Sequence, residues 1–228
     1  MVARVWITGI GSLTNLGSGF DSILAAVQNA KAAFSHVPPE WMSYAGAPDA
    51  FMARLSPEAE AELKQFETVA TDRATAMALL VAQQAWQHAG LTSTDQPSRA
   101  GVYWGTGMGG LDTTESTYQR LLVDKAMLRP MTVVRIMANA AAASIALKYN
   151  LQGPNQTFSV ACASSAMATS HQLPCKALVR IRRSQNRCML ACLRQYVSPD
   201  GGPPRALHDA GLKACTTPSA RRRARGRP

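Results

Sequence analysis

No stretch of this 228-residue sequence approaches the roughly 20 consecutive apolar residues that a membrane-spanning helix needs. The opening residues, MVARVWITGIG, reach glycine too soon to form the apolar segment of a secretory signal, so a cytoplasmic protein is expected. Histidine is scarce, with 4 in all. Cysteine is absent until Cys162; Cys175, Cys188, Cys192 and Cys215 follow it without a C-x-x-C pair or a ligand spacing to His171 or His208. That pattern argues against a zinc framework, and no metal or bound cofactor is expected. Acidic residues all but vanish late in the chain. Residues 169–228 hold 13 Lys and Arg against 2 Asp, whereas residues 1–168 hold 11 against 12. The net charge of +10 therefore belongs to the last 60 residues and says nothing about the first 168. No internal repeat is visible.

A hydrophobic fraction of 46% is that of an ordinary globular chain. Residues 4–10 (RVWITGI) are β-branched and aromatic and stop at Gly11, as a buried strand would. Phe20, Ile23, Leu24 and Val27 recur at helical spacing. Ser56-Pro57-Glu58 is a helix start, with a capping hydroxyl, proline at the first helical position and an acid in the first turn. A second start at Thr71 or Asp72 leads into a helix that places Met77, Leu80, Val81 and Gln84 on one face and stops at Gly90. Residues 101–104 read as a short strand running into GTGMGG, residues 115–127 and 137–149 as helices, and residues 157–161 as a strand ending at Cys162. Strands alternating with helices predict an α/β fold with helices on the faces of a sheet.

Two short stretches carry chemistry. GTGMGG (residues 105–110) satisfies G-x-G-x-x-G after a strand, the pattern of a dinucleotide site. It lacks an acid about 20 residues on at the end of a second strand, and the first strand's GIGSLTNLG breaks the glycine spacing. A tight loop that lets backbone approach backbone or substrate is the better account. Cys162 follows the strand TFSVA and precedes Ala163, Ser164, Ser165, Ala166, Met167 and Ala168. Residues this small let a helix begin at once, and a thiol at a helix N-terminus is favoured as thiolate. The first amides of such a helix can donate to an oxyanion. The alternative is a structural cysteine, the usual fate of a lone free thiol.

VWITGIGSLTNLG, GVYWGTGMGG and RPMTVVRIMANAAAASIALKYNLQGPNQTFSVACASSAMA, in that order and spacing, resemble the β-ketoacyl-acyl carrier protein synthases. The resemblance runs from residue 3 to 168, and NLQGPNQTFSVACASSAMA is its most specific part. It implies a thiolase-like layered fold, a mixed sheet with helices on its faces, of which this chain carries the N-terminal half. It implies an acyltransferase of fatty acid or polyketide biosynthesis. Cys162 would take an acyl group from a phosphopantetheine thioester, and a malonyl carrier would then decarboxylate and attack. The partner implied is an acyl carrier protein, with homodimers usual in the family. Lys125, Arg129 and Arg135 could meet such an acidic carrier, or form a solvated face.

The family's two catalytic histidines and its lysine lie in a second half that is not recognisable here. His36 is expected in a loop before PPEW, His88 on a helix, and His171 and His208 in the divergent segment. The expected organisation is an incomplete synthase domain over residues 1–168 and a basic tail over 169–228, so that the chain as given would not condense. Three accounts compete for the tail: out-of-frame translation after about codon 168, which is favoured by the Arg, Ala, Pro and Gly of ARRRARGRP; a basic arm that binds nucleic acid or an acidic partner; and a divergent folded continuation. The arm is the non-enzymatic alternative for the whole chain. With 2 Lys and 1 aromatic residue in the tail, nucleic acid is not the expected partner.

Overall fold

The computed structural model describes residues 7–37 and 51–172. Expectations for residues 1–6, 38–50 and 173–228, among them the tail and His208, lie outside the described residues.

The centre of the fold is a helix that its own sequence starts and stops. Helix α3 (Arg73–His88) follows Asp72, whose side chain accepts from the Ala74 N–H at 2.9 Å, the bond expected of an N-terminal cap. It ends at Ala89, with Gly90 at φ 65°, where glycine avoids the penalty of a left-handed turn. Before it, α2 (Pro57–Lys64) is capped by Ser56, whose hydroxyl accepts from the Ala59 N–H at 3.2 Å. Leu63 of α2 and Ala76, Leu80 and Ala82 of α3 are buried together with Val102 and Trp104. Ala141, Ala142 and Ile145 of α6 (Ala140–Lys148) close this core from the other side. Helices α3 and α6 pack against each other, and Ala76 and Ala82 of the first and Ala141 and Ala142 of the second are buried in this core.

The strand expected at residues 101–104 is β5 (Val102–Gly105), and it pairs in parallel with β6 (Asn155–Phe158) from Val102↔Asn155 to Gly105↔Phe158. Parallel neighbours require a crossover. Here it consists of α4 (Leu111–Tyr118), a wide helical turn (Gln119–Val123), α5 (Thr132–Ile136) and α6. Two antiparallel ladders of two residues each stand apart: β1 (Leu13–Thr14) with β2 (Gly17–Ser18), and β3 (Ser35–His36) with β4 (Phe51–Met52). Helix α1 (Phe20–Gln28) forms where the spacing of Phe20, Ile23, Leu24 and Val27 predicts it.

Three elements differ from the sequence reading. The described part of the first predicted strand, residues 7–10, joins no ladder. It lies on α3 instead, so closely that a Cβ at Gly9 would stand 2.2 Å from the Ala85 carbonyl oxygen and one at Gly11 2.1 Å from that of Val81. Its hydrogen bonds go to helix side chains, with the Ser12 N–H donating to Gln84 Oε1 at 2.9 Å. The helix expected at 115–127 starts earlier, at Leu111, because Gly110 at φ 57° turns the glycine loop straight into it. The last strand ends at Phe158, and three residues separate it from Cys162 in place of a direct junction.

Candidate active site

Cys162 sits in the middle of a single tight turn, Ala161–Ala163, between β6 and α7 (Ser164–Gln172). Ala161 has φ 47°, a left-handed conformation that a residue with a Cβ adopts at a cost of about 1–2 kcal/mol. The chain therefore reverses sharply at the residue before the thiol and leaves Cys162 exposed as a free cysteine. The Ala163 N–H donates to the Val160 carbonyl at 3.1 Å and is already used in closing the turn. The helix that follows begins two residues beyond Cys162, where the small residues Ser164, Ser165 and Ala166 allow it to approach the sheet.

That approach is to the end of β5. A Cβ at Gly105 would lie 2.6 Å from the carbonyl carbon and oxygen of Ser164, so glycine is what lets α7 rest on the strand. The rest of GTGMGG serves the same purpose at its other end: a Cβ at Gly109 would be 2.6 Å from the Cα of Ala138, and one at Gly110 2.4 Å from the Arg135 carbonyl oxygen. Of the loop's four glycines only Gly107 has open space around its Cβ position. The loop is thus packed between the thiol's helix and the α5–α6 corner, which accounts for its glycines as close-approach residues.

Hydrogen bonds tie this loop to the turn that carries Cys162. The Thr106 N–H donates to the Phe158 carbonyl at 2.9 Å, extending the β5–β6 ladder by one bond. The Ser159 hydroxyl donates to the Gly107 carbonyl at 3.0 Å, and the Ser164 hydroxyl lies 2.8 Å from the Thr106 carbonyl oxygen. In the sequence Ser164 was legible only as one of the small residues that let a helix begin, and Ser159 only as part of the strand expected at residues 157–161. Their pairing with carbonyls more than 50 positions away has no local signature.

The remaining candidates are placed as follows. His36, on β3, packs at a tilt against Phe51 with ring centres 4.4 Å apart. His88 ends α3; its ring lies 6.4 Å from that of Phe20, and Nδ1 is 3.1 Å from the Ile10 N–H. His171, in the last turn of α7, stacks on Phe158 at 4.7 Å. None of these contacts involves Cys162. Lys125, at φ 54°, and Arg129 are exposed. Arg135 is half-buried, and its Nε finds no hydrogen-bond partner among the described residues. Among those residues no group of three or more His, Cys, Asp or Glu could hold a metal ion, and no helix is long and apolar enough to cross a membrane.

Residues 3–192 match the beta-ketoacyl synthase N-terminal domain. Nodulation protein E of Rhizobium meliloti strain 1021 is 33% identical over 168 residues, which is 72% of this chain and 41% of that protein. The 3-oxoacyl-[acyl-carrier-protein] synthase 2 of Coxiella burnetii is 28% identical over 172 residues, 74% of this chain and 41% of its own. The crystal structure of a beta-ketoacyl synthase from Burkholderia phymatum STM815 superposes with a TM-score of 0.61 at 25% identity, covering 76% of this chain and 43% of that one. A type II polyketide ketosynthase in complex with its acyl-carrier protein shares the fold, with a TM-score of 0.59 at 19% identity over 75% of this chain and 45% of that one. The chain spans less than half the length of these curated relatives. The extent of the match, together with a cysteine turn built on a parallel strand pair and a glycine loop, establishes that this chain belongs to the β-ketoacyl synthase family, in the part that forms its N-terminal domain.

Proposed function

We propose that Cys162 is the acyl-accepting nucleophile of a β-ketoacyl synthase, and that the complete reaction is decarboxylative condensation of malonyl and acyl groups held as carrier-protein thioesters. The observation that carries this reading is the exposed thiol on a turn with a left-handed residue before it and a helix after it. A thiol so placed is open to a large thioester while its backbone is held. The sulfur attacks the thioester carbonyl, the carbonyl carbon to donor-sulfur bond breaks, and the donor thiolate leaves. With the Ala163 N–H used inside the turn, the Cys162 amide is the donor available to the developing oxyanion.

Condensation asks for more, because a carbanion must be stabilised as carbon dioxide departs. Of the histidines among the described residues, His36, His88 and His171 each pack on an aromatic ring, and none of these contacts involves Cys162. A polypeptide of these 228 residues alone is therefore expected to accept acyl groups without condensing them. The partner implied is an acyl carrier protein, with the exposed Lys125 and Arg129 better placed to meet its acidic surface than the half-buried Arg135. The organic chemistry is carried by the substrate's own phosphopantetheine, and the reading requires no bound cofactor.

The test is thiol release. With an acyl-carrier-protein thioester, the chain should liberate one equivalent of carrier thiol in a burst, and Cys162→Ser should abolish the burst. A burst of equal size in the Cys162→Ser variant would transfer the role to another residue and end this reading.

A further inference from the structure

The hydrogen bonds of the buried Ser164 hydroxyl all go to backbone groups. The residue is only 2% exposed. Its oxygen accepts from the Val160 N–H at 2.9 Å and faces the carbonyl oxygens of Ala161 and Thr106, each at 2.8 Å. A hydroxyl has one hydrogen, so the two carbonyls share it or take it in turn. Two of the three backbone groups belong to the residues just before Cys162, and the third to the glycine loop. Ala161 holds a left-handed φ of 47°, a conformation that persists only where its surroundings over-determine it. The Ser164 hydroxyl supplies part of that constraint. Ser159 adds a second tie on the exposed side of the same seam, through the Gly107 carbonyl at 3.0 Å.

We propose that Ser164 is a positioning residue for Cys162, holding the thiol's turn against the glycine loop, and that Ser159 supports it from the other side of the seam. The proposal rests on the reading of Cys162 as acyl acceptor. In that step the Cys162 sulfur bonds to the thioester carbonyl carbon, the donor's carbon–sulfur bond breaks, and the departing thiolate takes a proton from water. The reacting atoms must meet at roughly 3–3.5 Å, and a misplacement of about 1 Å costs on the order of 10²-fold in rate. Ser164 exchanges no proton in this step, since its hydroxyl is engaged by backbone groups. Its loss should slow acyl transfer without moving the pH dependence of the thiol.

The experiment uses the 228-residue chain and octanoyl-N-acetylcysteamine as donor, with acylation read on the Cys162 peptide by mass spectrometry. Ser164→Val and Ser164→Thr have the same shape and differ in the hydroxyl. Ser164→Val should acylate about 10- to 100-fold more slowly, and Ser164→Thr should recover most of that loss. The midpoint of the pH profile for iodoacetamide alkylation of Cys162 should coincide in both. Ser159→Ala removes an exposed hydroxyl and should keep the unfolding midpoint while slowing acylation about 3- to 10-fold, a smaller share of the same positional effect. This variant decides the matter should Ser164→Val not fold. Equal acylation rates in wild type, Ser164→Val and Ser159→Ala would overturn the proposal. So would a Ser164→Thr variant as slow as Ser164→Val, because shape would then be the cause. A wild-type chain with no acyl group on Cys162 would instead overturn the underlying reading of the nucleophile.

Discussion

Asp72 Oδ2 accepts two hydrogen bonds from Thr113, from its backbone N–H at 2.9 Å and its hydroxyl at 2.6 Å. Its other oxygen caps α3. The carboxylate is 1% exposed and Thr113 2%, so one buried side chain joins the starts of two helices, α3 and α4, the second of which leaves the glycine loop. Burial of a charge is tolerated here because three donors and two helix N-termini surround it. Replacing Asp72 by Ala removes a cap worth about 1 kcal/mol and orphans the Thr113 donors at about 1–3 kcal/mol. We expect Asp72→Ala to lose about 2–4 kcal/mol in urea denaturation, and Thr113→Val about half as much. A loss under 0.5 kcal/mol for Asp72→Ala would mean that water replaces these bonds freely.

The glycine loop makes a sharper comparison. Gly110 has φ 57°, and an added Cβ would fall 2.4 Å from both the Arg135 carbonyl oxygen and Ile136 Cα. Gly107 meets nothing within 4 Å. Gly110→Ala should therefore cost about 2–4 kcal/mol, from a left-handed alanine and crowding against backbone. Gly107→Ala should change stability by no more than about 1 kcal/mol in either direction. Thermal melting of the two variants side by side distinguishes them. Equal midpoints would show that the loop relaxes away from α5.

How much of this was legible in the sequence depends on the range of the interaction. Ser56-Pro57 and Asp72 announce helices through bonds to residues two or three positions on, and both caps are where the sequence puts them. Cys162 was picked out as a candidate because TFSVA reads as a strand leading into a thiol and small residues, although the strand itself stops at Phe158. Residues 7–11 were not, because β-branched composition signals burial without naming the partner. Gly9 and Gly11 place that segment on α3 and not in a ladder. The α5 helix, five residues of TVVRI, is β-branched and reads more naturally as strand. Least legible were the contacts of Ser159, Ser164 and Asp72 with residues 41 to 58 positions away. These depend on how the parallel pair and its crossover fold back, and no local pattern encodes that.

The ion pair between α2 and α3 predicts a pH dependence. Arg73 Nη1 and Nη2 donate to the two carboxylate oxygens of Glu60, and this hydrogen bonding holds the Glu60 carboxyl below its ordinary 4.5 despite partial burial. A carboxylate whose pKa is depressed by folding stabilises the fold above its unfolded value, and the gain is lost as pH falls through the lowered value. Both side chains are more than a third exposed, so the pair is worth at most about 1 kcal/mol. Glu60→Gln should cost up to about that much at pH 7 and nothing once pH is well below 4.5. A gap between wild type and Glu60→Gln that persists unchanged at pH 2.5 would show that shape and not charge holds the pair.

The role proposed for Cys162 requires its thiol to react apart from the other cysteines of the chain. Cys175, Cys188, Cys192 and Cys215 are an internal reference in the same chain. The most direct measurement is a site-resolved acylation map: the chain is exposed to a limiting acyl-carrier-protein thioester, digested, and each of its 5 cysteine peptides quantified. The account predicts acyl thioester on the Cys162 peptide at least about 10-fold above any other, as expected where orientation and an oxyanion donor act at one thiol alone. Acyl groups spread evenly over the 5 cysteines, or concentrated on one other than Cys162, would contradict it.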